Sequence, residues 1–129
     1  MIHVDSNIIL DVLRPNPDFV ARSEIALKSA PDRVVGPIVY AEVATGFSQR
    51  SDVDAALLSL GLSLVAIGED ALFAAAQAHF NYRRRGGPRT SILSDFFVGA
   101  HALVNGCPLL TRDAARYRTA YPALQLIAP

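Results

Sequence analysis

Cysteine occurs once in the 129 residues, at Cys107, lysine occurs once, at Lys28, and tryptophan is absent. A lone cysteine excludes an internal disulfide and fits a reducing compartment. Cys107 has no Cys or His companion at ligand spacing, so a thiolate metal site is excluded as well, and a small buried residue is the expected role. No apolar run approaches the ~20 residues of a membrane span. The start, MIHVDSN, lacks the basic region and apolar stretch of a secretory signal. The expectation is a cytoplasmic protein with no membrane partner. Internal repeats and low-complexity segments are missing too. What remains is 51% hydrophobic and 19% charged, a composition that excludes a disordered chain. The length suits a single domain over residues 1–129, large enough to bury ~65–70% of the surface its unfolded chain exposes.

Taken in order, Ile2 to Val4 is a short apolar run ending at Asp5, and Ser6 or Asn7 can cap a following helix that carries Ile8, Ile9, Leu10, Val12 and Leu13. Arg14-Pro15-Asn16-Pro17 breaks it, and Pro17 starts a second helix to about Ser29, with Phe19, Ile25 and Ala26 on its buried stripe. Val34-Val35-Gly36 is a second strand, and Pro37 opens a third helix with Glu42 inside it. A helix over Asp52 to Leu60 ends at Gly61, and a third strand over Leu62 to Ile67 follows. Glu69 to Arg84 is an Ala-rich helix, and Arg85 to Arg89 is a loop by composition. Asp95 then opens a helix that Asn105-Gly106 stops, Pro108-Leu109-Leu110 is a buried strand, and Leu124 to Ile127 is the last strand. Strands alternating with helices at this spacing predict an α/β fold: a doubly wound, mostly parallel sheet covered on both faces.

The residues from 92 to 116 organise the functional reading. Asp95 lies near a helix start, and Asp113 lies just past a strand end in Thr111-Arg112-Asp113. Asp5 stands at the carboxyl end of the first strand, where open α/β sheets place their ligands. Glu42 sits one turn into the helix after Gly36-Pro37. Each acid also has an ordinary structural role open to it. Asp5 suits an Asx-turn, Asp113 a helix cap, Asp95 a first-turn acid facing a helix dipole, and Glu42 a solvent-facing position. Jointly, all four can reach one edge of a parallel sheet. Clustered carboxylates repel one another unless a cation neutralises them. A donor set of Asp and Glu alone favours a hard cation, Mg²⁺ or Mn²⁺. The chemistry open to such a site is activation of water for attack on phosphorus. Setting those four aside leaves twelve basic residues against eight acidic ones, a mildly basic remainder that suits a polyanion.

Asp5-Ser6-Asn7 behind a first strand, Glu42 after Gly36-Pro37, Asp95 in SDFFVGAHAL and LLTRD ending at Asp113 together resemble the PIN domain. More narrowly they resemble the VapC-type toxins of toxin–antitoxin pairs, over essentially the whole chain. The resemblance implies a doubly wound sheet of about five parallel strands. It also implies a Mg²⁺- or Mn²⁺-dependent endoribonuclease acting on structured RNA, with Asp5, Glu42, Asp95 and Asp113 as metal ligands and catalytic residues. Asn7 and Thr111 match polar positions that flank the site, and a homodimer silenced by a small antitoxin is the implied assembly. The chain departs from the pattern beyond Asp113, where many relatives carry a further acid and this one reads Ala114-Ala115-Arg116. A full second metal site is therefore not implied.

Arg83-Arg84-Arg85 with Arg89 is the densest basic patch. It reads either as a solvated helix end or as a phosphate-contacting surface, with Arg84 and Arg85 as candidate RNA contacts. Arg112, between two site residues, either holds a phosphate or pairs with an acid. His101 lies six positions beyond Asp95, turned ~120° from it, and is expected to be a packed or surface histidine; His3 and His79 lack ligand-spaced companions. Phe96 and Phe97 read as core before base-stacking. Three rival functions remain. A non-catalytic PIN-like module binding RNA or antitoxin would have lost some of the acids. A Mg-dependent phosphohydrolase acting on small esters lacks support, because no second aspartate follows Asp5 at the haloacid-type spacing. A receiver-type domain needs a late lysine, and only Lys28 exists.

Overall fold

The computed structural model describes residues 1–87 and 93–129. Arg89, and with it the end of the 85–89 loop, lies outside the described residues. The elements run β1 (Ile2–Val4), α1 (Ser6–Leu13), α2 (Val20–Ser29), β2 (Arg33–Val35), α3 (Pro37–Ala44) and α4 (Arg50–Ser59). They continue as β3 (Ser63–Leu64), α5 (Glu69–Arg84), α6 (Leu93–Val104), β4 (Leu109–Leu110), α7 (Ala114–Ala120) and β5 (Leu126–Ile127). The strands form one five-stranded sheet in the order β3-β2-β1-β4-β5, every pair parallel.

This order positions the site. From β1 the chain winds outward through β2 to β3, then returns to lay β4 on the other side of β1. The strand order therefore reverses between β1 and β4, and the crevice outside their carboxyl ends is the place where such sheets bind ligands. Val4 pairs in register with Leu110, so Asp5 and Thr111, the next residue on each strand, emerge side by side.

Both faces of the central strands are covered. Adjacent residues of a strand point to opposite faces, and His3 and Val4 on β1 and Leu109 and Leu110 on β4 are all buried. Ile8, Ile9, Val35, Val39 and Val43 fill the space between the sheet and the helices. Arg33 closes one corner of this core: its Nε donates to the carbonyl of Leu60 (2.7 Å) and its Nη1 to that of Leu27 (2.6 Å), supplying donors to carbonyls at the ends of α2 and α4. Gly106, at φ 66°, ends α6 in the left-handed conformation that glycine adopts without strain.

Several boundaries differ from those the sequence predicts. Helix α2 begins at Val20 and not at Pro17, because the Asn16 side chain accepts from the Asp18 N–H (3.1 Å) and holds an Asx-turn there. Its inward positions are Ser23 and Leu27, whereas Ile25 is 67% exposed. Helix α1 is capped by Asp5, not by Ser6 or Asn7. Strand β3 is Ser63–Leu64 rather than the longer Leu62–Ile67 stretch, as befits a sheet edge paired on one side alone. Cys107 is half-buried rather than buried, its Sγ directed at the Asn105 carbonyl (3.2 Å). Among the described residues no helix is long and apolar enough to cross a membrane.

Candidate functional site

Asp5 is the centre of a hydrogen-bonded cluster. It is 6% exposed, and its Oδ1 accepts from the Ser6 N–H (2.8 Å) while Oδ2 accepts from the Thr111 hydroxyl (2.8 Å) and the Tyr117 hydroxyl (2.9 Å). Those donors favour the charged carboxylate. Burial opposes them more strongly, and with the nearby Asp113 it holds the Asp5 pKa above the ordinary carboxylate value. Thr111 is fully buried and its Oγ1 also accepts from the Asp113 N–H (3.0 Å). Asn7 ties the same parts together: its Nδ2 reaches Thr111 Oγ1 (3.3 Å) and Asp113 Oδ2 (3.5 Å), and its Oδ1 accepts from the Arg112 N–H (3.2 Å).

The other three acids border this cluster and are held more loosely. Glu42, on α3, is exposed, and partial burial of its carboxyl together with the charges of Asp5 and Asp95 raises its pKa. Asp95, in the first turn of α6, accepts from Arg116 Nη1 (3.1 Å). Asp113 is exposed, caps α7 without a side-chain bond, and lies 3.8 Å from Arg116 Nη2. The charges of Asp5 and Asp95 act on Glu42, and that of Asp113 acts on Asp5, so the four acids border one crevice. All their donor atoms are oxygen, which suits a hard divalent cation. As they stand, no three His, Cys, Asp or Glu side chains among the described residues converge closely enough to hold an ion, and a guanidinium already bridges Asp95 and Asp113.

Arg112 takes the second of its two alternatives. Its Nε and Nη2 bond both oxygens of Asp11 (2.7 and 3.0 Å), and its guanidinium lies 4.0 Å from the centre of the Phe19 ring. Asp11 is 3% exposed and also accepts from the Ser23 hydroxyl (2.7 Å). This bidentate pair fastens the loop carrying Thr111 and Asp113 to α1 and α2. Arg84 stands in the last turn of α5 with Arg85 as its C-cap, both exposed. His101 is buried, its Nε2 3.0 Å from the Ala66 carbonyl and its ring edge-on to His3, and it takes no place among the acids. Phe96 is core and Phe97 is half-buried.

The sequence matches the PIN domain over residues 2–121. The chain belongs to the PIN domain family. Among solved structures it is similar to FitAcB from Neisseria gonorrhoeae (TM-score 0.74, 22% identity, covering 100% of this chain and 98% of that one). It is also similar to a toxin–antitoxin complex from Klebsiella pneumoniae (0.73, 18%, 100% and 98%). A third likeness is to VapC20 from Mycobacterium tuberculosis, described as a sarcin–ricin loop cleaving toxin (0.65, 16%, 100% of each chain). A search of curated protein sequences gave no match. At these identities the likeness carries the PIN fold.

Three residues of the PIN domain's crevice escape the sequence reading. Asp11 is an acid on an otherwise apolar helix, six residues after Asp5, and that misplaced charge was its signal. Nothing local in the sequence marks the Tyr117 hydroxyl as a donor to Asp5. Arg116, third residue of α7, carries no signal of its own in the sequence, although it lies among the acids.

Proposed function

We propose that this PIN domain is a metal-dependent endoribonuclease, the toxin of a toxin–antitoxin pair, which cleaves structured RNA with a metal-activated water. The observation that carries this reading is the gathering of Asp5, Glu42, Asp95 and Asp113 from four separate segments at the switch point of a parallel sheet, where each of Asp5 and Glu42 feels the charge of its neighbours. Asp5, Glu42, Asp95 and Asp113 would hold Mg²⁺ or Mn²⁺. The ion, when bound, would lower the pKa of a water and stabilise charge building on the phosphorus oxygens. The chain's own residues supply the rest. Thr111, Tyr117 and the Ser6 N–H fix the Asp5 carboxylate in one orientation, and Asn7 aligns Asp113 with it. Arg84 and Arg85 supply phosphate contacts that position RNA without reading its bases. Arg112, engaged by Asp11, supports the loop more directly than it supports substrate. The toxin–antitoxin complexes among the similar structures support a small antitoxin as partner, and a homodimer in the cytoplasm is the assembly we infer.

Mapping of new RNA 5′ ends in a bacterial host shortly after induction, beside a culture expressing Asp95→Asn, tests the reading. Discrete ends that vanish in the variant are expected. Identical end profiles from the two soluble proteins would overturn it in favour of a non-catalytic RNA- or antitoxin-binding module. That second reading draws on one observation, the pairing of Arg116 with Asp95 and Asp113.

A further inference from the structure

Arg116 is the only cation among the described residues that bridges two of the four acids. Its Nη1 lies 3.1 Å from Asp95 on α6, and its Nη2 lies 3.8 Å from Asp113 at the start of α7. Its charge also reaches Glu42 and Tyr117, lowering the pKa of both against the neighbouring acids. The guanidinium thus acts on more of the cluster than the two acids it touches. Two carboxylates brought together need a positive charge between them. Arg116 supplies it from within the chain, at no cost in free-ion binding entropy.

We propose that Arg116 is a built-in counter-ion of the acidic cluster, which a divalent cation must displace from Asp95 and Asp113 in order to bind. The proposal rests on reading the four acids as a metal site, and it specifies how that site behaves when empty. The guanidinium and a metal ion compete for the same carboxylate oxygens, and the two cations repel one another at this range. Exchange is open to it, because the Arg116 side chain is 42% exposed to solvent. Arg116 therefore keeps the acids from repelling one another in the metal-free protein and weakens the metal's hold. Occupancy of the site then depends on the divalent ion concentration around it.

Mn²⁺ binding to the full chain, measured by calorimetry and by loss of the free-ion electron resonance signal without RNA, tests this independently of cleavage. Arg116→Gln is expected to bind Mn²⁺ roughly five- to tenfold more tightly than the unaltered protein. Arg116→Lys, which keeps the charge but loses the planar fork, is expected to fall between the two. Arg118→Gln removes the same charge two residues on, about 200° round the helix, and is expected to change affinity less than about twofold. Unaltered Mn²⁺ affinity in Arg116→Gln, or an equal gain in Arg118→Gln, overturns the proposal and leaves the metal-site reading standing. Absence of Mn²⁺ binding in every variant overturns both together.

Discussion

The two halves of the crevice are built differently. On one side Asp5, Asn7, Thr111, Tyr117, Asp11 and Arg112 form a continuous hydrogen-bonded block in which Asp5, Asp11, Thr111 and Tyr117 are buried. On the other side Glu42 and Asp113 are exposed, and a solvent-accessible guanidinium bridges Asp95 and Asp113. The first half has one arrangement available to it, because moving any member would strand a buried donor or acceptor. The second half can rearrange at little cost, since exposed ion pairs contribute ~1 kcal/mol or less. A site that must accept a cation and then a phosphate benefits from this division: a fixed reference point and an adjustable rim.

The largest effect that would sharpen the contrast is catalytic. Asp5→Asn is expected to lower cleavage of the mapped RNA by on the order of a thousandfold in a gel assay, because several kcal/mol of charge stabilisation at phosphorus is lost. Full activity in that variant would remove Asp5 from the reaction. Next in size, Asp11→Asn breaks a buried bidentate pair and leaves Arg112 without its counter-charge, a loss of ~3–5 kcal/mol. A fall in Tm of roughly 10 °C or more is expected, against about 1 kcal/mol or less for the exposed rim variant Asp113→Asn. Equal melting of the two variants would erase the distinction between block and rim.

The rigid half extends back along β1 to His3, whose imidazole burial, the adjacent His101 and the N-terminal amine hold down to about 4. Its folded value lies below the ordinary 6.5, so the unfolded chain takes up a proton first as pH falls. Stability from this group is complete above about pH 6.5 and lost down to about pH 4, by at most about 3 kcal/mol. Chemical denaturation at pH 7 and pH 4.5 measures it, and His3→Gln should flatten the acid side of the profile. A profile unchanged by the substitution would assign the acid loss to other groups. The smallest effect belongs to the surface. Arg84→Glu with Arg85→Glu is expected to weaken RNA binding several-fold and to reduce the salt slope by about one to two, with Mn²⁺ binding unchanged. An unaltered slope would place the RNA elsewhere.

Asp5 and Asp113 were legible because each lies just past a short apolar strand, and strand ends in a parallel sheet share an edge; Thr111 entered only through the family resemblance. Glu42 and Asp95 were legible as acids in helices that open beside that edge. The pair Asp11–Arg112 was not, because it joins residues 101 apart in the chain and no local pattern encodes such a contact. Arg116 escaped for a related reason: it lies 21 residues from Asp95 in the chain, and only the packing of α7 against α6 brings the two together. The onset of α2 moved for a local reason, since the Asn16 turn competes with Pro17 for the same backbone.

Strands β3 and β5, at the two margins of the sheet, are each two residues long. A peptide seeking to extend the sheet by pairing along either margin finds a ladder of two residues, too short to register an incoming strand. The molecule is thereby shielded from open-ended stacking of copies. With so little edge backbone to pair with, a partner finds side chains the stronger basis for recognition.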